Sequence, residues 1–442
     1  MELKIDFTDK EITPWGGMVL LKNMLDRIKF AQVIESCNDL PSGGSNRSYS
    51  TRVIIESFIV NVWCGATRFL HTEIGRHDYP LARIFNWGRH PAQDTYKRFF
   101  KRFDWGINTR VFSYFYQWFF RNLRMDEATL DIDSSIFTRY GKQEGSRKGY
   151  NPKKPGRASH HPLLAFVADV NMVANFWLRR GDSYTTNNFT GFLEETLSNL
   201  AGIKVGLIRL DSGFYDKNIL EYLEKKPMNY IIAVRFYSPI KQLLRSKQNW
   251  IRLSEGVEVA TTEYQSPVWN KPRKLILVRQ DIKVRPGATG KQLRLKFEEN
   301  DVAYYRHYRY SAYVTNMTLP AAEVWRLYRH RAEAENRIKE LDYDFGLNAF
   351  NLNEFFATEA ALNFVMVAYN LMNLFRRFIM TEKVQKRLSS IRYNTFAIGA
   401  YLTRDGRYMI LKLALKLKRR EWFTGIWNYS RQFEYPFIFS NA

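Results

Sequence analysis

The sequence predicts an α/β (α+β) protein in which a mixed β-sheet is flanked by helices. Three observations support this prediction. Strand-like runs alternate with helical patterns in residues 126–239, short strand-like runs without a helical pattern fill residues 240–311, and helical periodicity dominates both ends of the chain. With 442 residues, 45% of them hydrophobic, the chain can bury a large core.

Residues 1–125 are predicted to form a helical region that contacts DNA. Within "HPAQDTYKRFFKRF" a helix cap is possible at Asp94, and the apolar and basic side chains lie on different faces. The basic face either lies against DNA or is an ordinary solvated helix surface. The apolar face contains Tyr96, Phe99, Phe100 and Phe103, and the basic face contains Lys97, Arg98, Lys101 and Arg102.

Residues 126–239 are predicted to form the first part of the α/β core. The run "ATLDIDSS" alternates, so Asp131 and Asp133 share one face of a strand. "PLLAFVADV" and "MVANFWLRRG" are predicted strands joined by a turn at Asn171, and "KVGLIRLDSGF" contains a strand that ends at Asp211. Helices are predicted in "NFTGFLEETLSNL" and "DKNILEYLEKK", before a strand in "NYIIAVRF".

Residues 240–311 are predicted to be a β-rich insertion with no obvious helix. Its strand candidates are "RKLILVRQ", "LRLKFE" and "VAYYRHYRYSAYVT". Residues 312–380 are predicted to complete the core, and its segment "FFATEAALNFVMVAYNLMNLF" contains Glu359 and three Asn, which favours a buried helix over a membrane span. Residues 381–442 are predicted to form a helical C-terminal region, a candidate for oligomerisation or DNA contact, that ends in the basic "LKLALKLKRREWF".

The charge of the chain indicates a polyanionic partner. The 67 Lys and Arg exceed the 44 Asp and Glu, giving a formal charge of +23, which favours nucleic acid first and an anionic membrane surface second. Cys37 and Cys64 are the only cysteines, which excludes a disulfide framework and a Cys-based zinc site and fits a cytoplasmic setting. Because the seven histidines are scattered, carboxylates must supply most ligands of any catalytic metal.

The segment "YRHRAEAENRIKELD" gathers carboxylates in this basic chain and is predicted to be part of a single helix. Residues at spacings of three and four share a helix face. The residues on that face are Tyr328, Arg331, Glu335, Lys339 and Asp342. Glu333 points elsewhere. A solvated helix with many ion pairs is the alternative interpretation.

Asp133 and Asp211 each end a predicted strand and are followed by the small residues "SS" and "SG". Open α/β sheets bind ligands outside the carboxyl ends of their strands. Phosphodiester cleavage commonly uses two Mg²⁺ ions, about 3.5–4 Å apart, held by carboxylates, and Glu335 is the natural third ligand. The alternative for each aspartate is a turn or a helix cap. From the residues alone, Asp131 and Asp133 remain equivalent candidates.

The blocks "LDIDSS", "RLDSGFYD" and "YRHRAEAENRIKEL" resemble those of the DDE transposases of bacterial insertion sequences, whose catalytic domain has a ribonuclease-H-like fold. "KGYNPKKPGRASHHPLLAF" and "LRRGDSYTTNNFTGFLEE" resemble one branch, the insertion-sequence family thirteen-eighty. The resemblance covers residues 45–375. The last block matches the family signature at Tyr328, Arg331 and Glu335, but Asp342 stands where the family has Lys.

The resemblance implies that Asp133, Asp211 and Glu335 hold two Mg²⁺ ions, for which Mn²⁺ substitutes, and that Tyr328 and Arg331 hold DNA phosphate. Lys339 would supply the charge missing at position 342. The implied activity is cleavage at the ends of an insertion sequence and strand transfer to target DNA. The implied partners are double-stranded DNA, with terminal inverted repeats, and a second copy of the chain in a paired-end complex in the bacterial cytoplasm, with no membrane involved.

Two further DNA contacts are predicted. The loop "RKGYNPKKPGR" carries Arg147, Lys148, Lys153, Lys154 and Arg157 beside the first Asp strand, and it either contacts phosphates or is merely solvated. Trp269, in "SPVWNKPRK", is the candidate to lie beside a flipped base, a role that the family can give to its β insertion, and a packed Trp is the alternative.

Two other functions compete with the transposase. One is a catalytically inactive or domesticated DNA-binding protein that keeps the fold, and Asp342 in place of Lys favours it because a carboxylate repels phosphate. The other is a nuclease that acts on RNA–DNA hybrids, which does not explain the long helical flanks or the insertion.

Overall fold

A nine-stranded mixed sheet forms the centre of the molecule, with helices packed around it. The computed structural model describes residues 3–42, 48–152, 154–246, 248–281, 308–380 and 386–438. The predicted α/β class is confirmed.

The helices are α1 (Val19–Arg27), α2 (Phe30–Glu35), α3 (Thr51–Cys64), α4 (Thr72–Arg76), α5 (Tyr79–Ile84), α6 (Gln93–Phe100), α7 (Trp105–Arg121), α8 (Phe189–Asn199), α9 (Lys217–Leu223), α10 (Ser238–Arg245), α11 (Ala321–Arg329), α12 (Ala332–Asp344), α13 (Phe355–Phe378), α14 (Leu388–Ile391) and α15 (Leu417–Gln432). The strands are β1 (Ile12–Thr13), β2 (Leu123–Arg124), β3 (Glu127–Ser134), β4 (Phe137–Thr138), β5 (Arg147–Lys148), β6 (Ala158–His160), β7 (Leu163–Val167), β8 (Met172–Trp177), β9 (Lys204–Leu210), β10 (Asn229–Ala233), β11 (Ile251–Ser254), β12 (Val257–Tyr264), β13 (Arg273–Asp281), β14 (Tyr308–Thr315), β15 (Ala400–Asp405), β16 (Tyr408–Leu413) and β17 (Phe437–Ile438).

The strand order of the large sheet is β11-β12-β13-β14-β10-β9-β3-β7-β8. Strands β3, β9 and β10 are parallel to one another, whereas β7 and β8 form an antiparallel hairpin against β3. Asn171 makes the hairpin turn with a left-handed φ of 57°. This arrangement confirms the ribonuclease-H-like mixed sheet. Ile132 of β3 pairs with Leu210 of β9. The residues that follow them, Asp133 and Asp211, are therefore neighbours at the carboxyl ends of these two strands.

The long helix α13 covers the outer edge of β8 and explains its unusual asparagines. The side chain of Asn370 accepts from the Val173 amide at 2.7 Å and donates to the Val173 carbonyl at 2.8 Å. Asn373 donates to the Asn171 carbonyl at 2.9 Å. These bonds satisfy backbone groups that an edge strand leaves open. The helix is long and apolar enough to cross a membrane, but 89% of its most apolar window is buried, as predicted for a core helix.

The insertion does not form a separate sheet, because β14 pairs with β10 and so continues the core sheet through β13, β12 and β11. Helix α10 interrupts the region that was predicted to lack helices. Helix α11 packs on the insertion strands, where Val324 and Trp325 share a buried apolar cluster with Ile276 and Val278. The predicted strand at 293–298 lies outside the described residues.

The N-terminal region is helical, as predicted, but α6 begins one residue before the predicted cap. Asp94 lies in the first turn of α6, after an N-cap at Ala92 that makes no side-chain bond. Tyr96, Phe99 and Phe100 are buried, so the predicted apolar face faces the core.

The C-terminal region contains a β-hairpin as well as helices, which the sequence analysis did not predict. Strands β15 and β16 pair with each other and, through β15, with β1. The predicted helix "LKLALKLKRREWF" is a strand up to Leu413 and a helix only from Leu417. The alternation of apolar and basic residues in "LKLALKL" has the two-residue period of a strand, so the prediction of a helix was wrong for this part.

Candidate active site

The two aspartates of β3 have different surroundings although they share a strand face. Asp131 is fully buried and receives two hydrogen bonds from Arg209, at 2.6 and 2.9 Å, with Arg337 3.4 Å away. A carboxylate held by two buried guanidinium groups is a structural ion pair. Asp133 lies at the end of the strand, next to the loop, and is therefore the better placed of the two to reach a ligand.

Asp133 forms a buried ion pair with Arg331. Its Oδ1 accepts a hydrogen bond from the Ser134 amide at 2.8 Å, and its Oδ2 lies 3.1 Å from Arg331 Nη2. Arg331 also donates to the Ile132 carbonyl at 3.3 Å. The predicted phosphate-binding arginine is thus turned towards Asp133, the predicted metal ligand, and away from solvent.

Asp211 caps the turn that follows β9. Its Oδ1 accepts a hydrogen bond from the Gly213 amide at 2.8 Å, and Arg235 holds the carbonyls of Ser212 and Gly213 at 2.6 and 3.0 Å. A Cβ at position 213 would lie 2.8 Å from Asp211 Oδ1 and 3.1 Å from Thr185 Cγ2. A larger residue at position 213 would therefore crowd Asp211 and Thr185, and the glycine of "DSG" avoids this.

The predicted single helix is broken into α11 and α12 at His330 and Arg331. Across the break, the Arg331 amide bonds to the Tyr328 carbonyl at 2.9 Å and the Ala334 amide bonds to the Arg331 carbonyl at 2.9 Å, a tighter pattern than that of an α-helix. Tyr328 and Glu335 therefore lie on different helices. The helical-wheel argument for their shared face was wrong in this respect, although Glu335, Lys339 and Asp342 all lie on α12.

Tyr328 points into the site from α11. Its hydroxyl donates to the Leu210 carbonyl at 3.2 Å, and its ring contacts that of Tyr313 with a centroid separation of 4.3 Å. Burial raises the pKa of its hydroxyl above the ordinary value. Tyr328 thus ties α11 to the end of β9, one residue before Asp211.

The three predicted acids interact electrostatically. The pKa of Asp133 is raised from 3.8 to about 6, first by burial and then by the charges of Asp211 and Glu335, while Arg331 opposes the rise. Like charges raise a carboxyl pKa only when they are near one another in a poorly solvated place. The site therefore has an excess of negative charge that Arg331 offsets only in part.

The donor set suits a divalent ion in its chemistry, since Mg²⁺ prefers carboxylate oxygens. Among the described residues, however, no three His, Cys, Asp or Glu side chains are gathered as a metal-binding group. The acids at 133, 211 and 335 are neighbours whose oxygens do not converge on one point.

Glu333 and Asp342, two of the four other acids of α12, have partners of their own. Glu333 pairs with Arg337 at 3.2 Å. Asp342 is half-buried and its charge acts on Arg139, whose pKa burial lowers to about 10 and Asp342 raises. Arg139 is almost completely buried and donates to His160 Nδ1 at 3.0 Å. The departure from the family signature at position 342 thus places a carboxylate near a buried arginine.

The basic loop after β4 is open to solvent. Its described basic residues are all exposed, and these are Arg147, Lys148, Lys154 and Arg157. Lys153 lies outside the described residues. In contrast, two cations of the α6 segment have acidic partners: Lys97 lies 3.2 Å from Asp94, and Lys101 lies 2.9 Å from Glu354. Arg98 is exposed, and Arg102 donates to the Ser42 carbonyl.

Trp269 is packed inside the protein, with 7% of its surface exposed. It makes edge contacts with Tyr215 and Tyr264, at centroid separations of 5.9 and 5.6 Å, and Arg273 lies over its ring. In this conformation it cannot stack on a base, so the alternative of a packed Trp describes it. Its predicted DNA role would require Trp269 to leave this cluster.

Sequence reasoning named Arg331 as a phosphate contact but missed three other arginines of the site. Arg209, Arg235 and Arg337, like Arg331, bond to an aspartate or to its supporting turn. One signal was present in the sequence. Arg209 lies within the apolar run of β9, where a charged residue needs a buried partner.

Comparisons with known proteins identify the family of the chain. A family model described as "Transposase DDE domain group 1" matches residues 1–433. Among solved structures the chain is similar to a piggyBac transposase synaptic complex with hairpin DNA, at 12% identity and a TM-score of 0.45, covering 87% of this chain and 81% of that one. The search of curated proteins found no match. Since the family model spans nearly the whole sequence, the chain belongs to the DDE transposases, domain group 1.

Proposed function

We propose that the chain is the transposase of a bacterial insertion sequence, which cuts DNA at the element ends by metal-dependent hydrolysis and joins the freed 3′-hydroxyls to target DNA. The observation that carries this proposal is the pairing of Ile132 with Leu210, which places Asp133 beside Asp211 at the carboxyl ends of β3 and β9. Glu335 of α12 lies near enough for its charge to act on Asp133. DDE transposases generally use divalent metal ions, and the oxygen donors at this edge are of the kind that Mg²⁺ prefers.

In this proposal Asp133, Asp211 and Glu335 hold two Mg²⁺ ions, for which Mn²⁺ substitutes. Bound there, the ions would activate the attacking oxygen and stabilise the leaving one. Arg331 has a positioning role, because it neutralises Asp133 at 3.1 Å and joins the start of α12 to the end of β3. When a metal ion binds, Asp133 would contact the ion and give up part of its contact with Arg331.

The proposed DNA contacts follow from exposure. Lys339 is exposed on α12, one turn from Glu335, and is the candidate for the phosphate next to the cut. The exposed cations of the loop around Lys154 and Arg157 would hold the backbone further along. Tyr328 and Arg331 are better placed to align the acids than to touch DNA, since both are bonded to the strand ends. Because two element ends must be cut and joined together, a homodimer on double-stranded DNA is the proposed working form, acting in the cytoplasm.

The departure at Asp342 supplies little support for a catalytically inactive protein. Its charge is matched to that of the buried Arg139, which gives Asp342 a role within the fold and not against phosphate. The alternative of a DNA-binding protein without activity is tested by the experiment that tests the triad.

The test is Mg²⁺- or Mn²⁺-dependent cleavage of labelled DNA that carries the terminal repeats of the element. Asp133→Asn, Asp211→Asn and Glu335→Gln should each abolish cleavage and keep end-binding within about threefold, because each removes a ligand charge and little volume. Glu333→Gln is the matched control on the same helix, and it should cleave normally. Full cleavage by any one triad variant would remove that residue from the proposed site, and no cleavage by the unmodified protein would favour the inactive alternative.

A further inference from the structure

Three tyrosines beside the candidate active site are open to solvent. Tyr140, Tyr150 and Tyr184 are 69%, 71% and 76% exposed, and we call them the tyrosine surface. Large aromatic rings are usually at least half-buried, so three such rings on neighbouring segments are unusual. Tyr140 and Tyr150 belong to the loops of the small sheet in which β6 lies between β4 and β5. Tyr184 lies in the loop between β8 and α8, which meets β6 through a bridge between His160 and Arg180.

Tyr184 lies next to the acid at the end of β9. The adjacent residue, Thr185, packs against Gly213, whose amide bonds to Asp211. The segment is fixed by the buried Arg179, which donates to the carbonyls of Tyr184 at 3.0 Å and Asn187 at 2.9 Å. The ring is therefore free, but the backbone that carries it is held in place.

Tyr150 is adjacent to the same segment. Its neighbour Gly149 packs so closely on Gly181 that a Cβ at position 149 would lie 2.0 Å from the Gly181 carbonyl oxygen. The two loops that carry Tyr150 and Tyr184 thus touch through their backbones. The small sheet is in turn joined to the site, since the Ser135 amide bonds to the Pro162 carbonyl at 3.2 Å, two residues after Asp133.

Tyr140 brings positive charge to this surface. Lys154 Nζ lies 5.3 Å from the centre of its ring and the Arg157 guanidinium 5.8 Å from it. Both cations are exposed. Among the residues that the structure describes, neither Lys154 nor Arg157 forms an ion pair, so their charges are available to a phosphate backbone.

We propose that the tyrosine surface binds an unpaired DNA strand beside the point of cleavage. Exposed aromatic rings next to cations are the pattern that binds single strands, because each ring stacks on a base while the cations hold the phosphates. A duplex hides the faces of its bases, so it offers these rings nothing to stack on. This inference rests on the proposed function and adds to it that the tyrosine surface binds single-stranded DNA and not a duplex.

The experiment measures fluorescence anisotropy with a labelled 30-nucleotide oligothymidine and a labelled 30-base-pair duplex. Tyr184→Ala and Tyr140→Ala should each bind the oligothymidine about tenfold more weakly and the duplex within twofold of the unmodified chain, since a stacking contact is worth roughly 1–3 kcal/mol. Tyr184→Phe keeps the ring and should restore single-strand binding. Tyr393→Ala, which removes an equally exposed tyrosine at 73%, is the matched control and should change neither affinity.

Equal losses on both probes, or no loss on either, would overturn the proposal. Failure of the proposed function looks different. If the unmodified chain binds oligothymidine in a Tyr184-dependent way but never cuts terminal-repeat DNA, the proposed transposase activity is contradicted and the strand-binding surface is supported. A chain that cuts terminal-repeat DNA normally, but whose Tyr184→Ala variant keeps full oligothymidine affinity, would support the transposase activity and contradict the strand-binding surface.

Discussion

At the scale of single residues, Asp131 and Asp133 show how position along one strand separates structure from chemistry. The alternation of β3 puts both carboxylates on one face, and no local feature of the sequence ranks them by itself. Their partners do. Arg209 is 78 positions from Asp131, and Arg337 is 206 positions away, so the ion pair depends on the fold and could not be read from the segment "LDIDSS".

Asp131→Asn should therefore destabilise the protein. The substitution leaves Arg209 and Arg337 buried without a full countercharge, and breaking a buried ion pair typically costs about 3–5 kcal/mol. The measurement is urea unfolding of the variant against the unmodified chain. A free energy of unfolding unchanged within about 0.5 kcal/mol would show that the two arginines do not depend on Asp131.

At the scale of elements, the regular parts of the core were predictable and the breaks were not. The strands β3, β7, β8 and β9 and the helices α8 and α9 appear where alternation and helical periodicity predict them. The division of α11 from α12 was hidden, because the composition of "YRHRAEAENRIKELD" favours a helix throughout. The contact of Arg331 with Asp133, which accompanies the break, involves a residue almost two hundred positions away.

The charge of Asp342 also connects two elements, since it acts from α12 on Arg139, the residue that follows β4. Asp342→Lys would place a cation near a buried one, so we expect it to lower the free energy of unfolding by roughly 2 kcal/mol. Thermal or urea unfolding measures the effect.

Lys339→Ala is the matched comparison on the same helix face. Lys339 is exposed, so its removal should leave stability unchanged while weakening the binding of terminal-repeat DNA. Should Asp342→Lys prove as stable as the unmodified chain, the role assigned to Asp342 within the fold would be wrong.

At the scale of the whole molecule, α13 connects the N-terminal helices to the sheet through Glu359. Its Oε2 accepts from Asn108 of α7 at 2.9 Å, and its Oε1 accepts from the Leu178 amide, just after β8, at 2.9 Å. Burial raises the pKa of Glu359 to about 7, against the lowering effect of both hydrogen bonds. Composition indicated that this helix is buried, but not which elements its polar residues join.

This pKa predicts a pH dependence of stability. The pKa in the folded chain lies above the ordinary value of 4.5, so the folded protein binds the proton more tightly than the unfolded chain does. The stabilisation is complete below about pH 4.5 and is lost as the pH rises through about 7. Between pH 5 and 8 the unmodified chain should therefore lose about 2–3 kcal/mol more than Glu359→Gln, which cannot titrate.

Urea unfolding of both proteins at several pH values in this range measures the difference. The other titrating groups, including Asp133, are common to the two proteins and cancel in the comparison. Parallel stability curves would show that Glu359 is not protonated in the folded chain near neutral pH.

Glu335 lies on α12, directly after the helix that packs on the insertion strands, and this placement has a consequence for folding kinetics. Tyr328 meets Leu210 across 118 positions and Arg331 meets Ile132 across 199, and contacts between such distant parts of a chain form slowly because a long loop must close first. The β3 and β9 pairing can form before the chain beyond β14 has been docked. A chain in which these long-range contacts have not yet formed would hold Asp133 and Asp211 without Glu335 beside them, so in the proposed function it would lack the complete set of metal ligands.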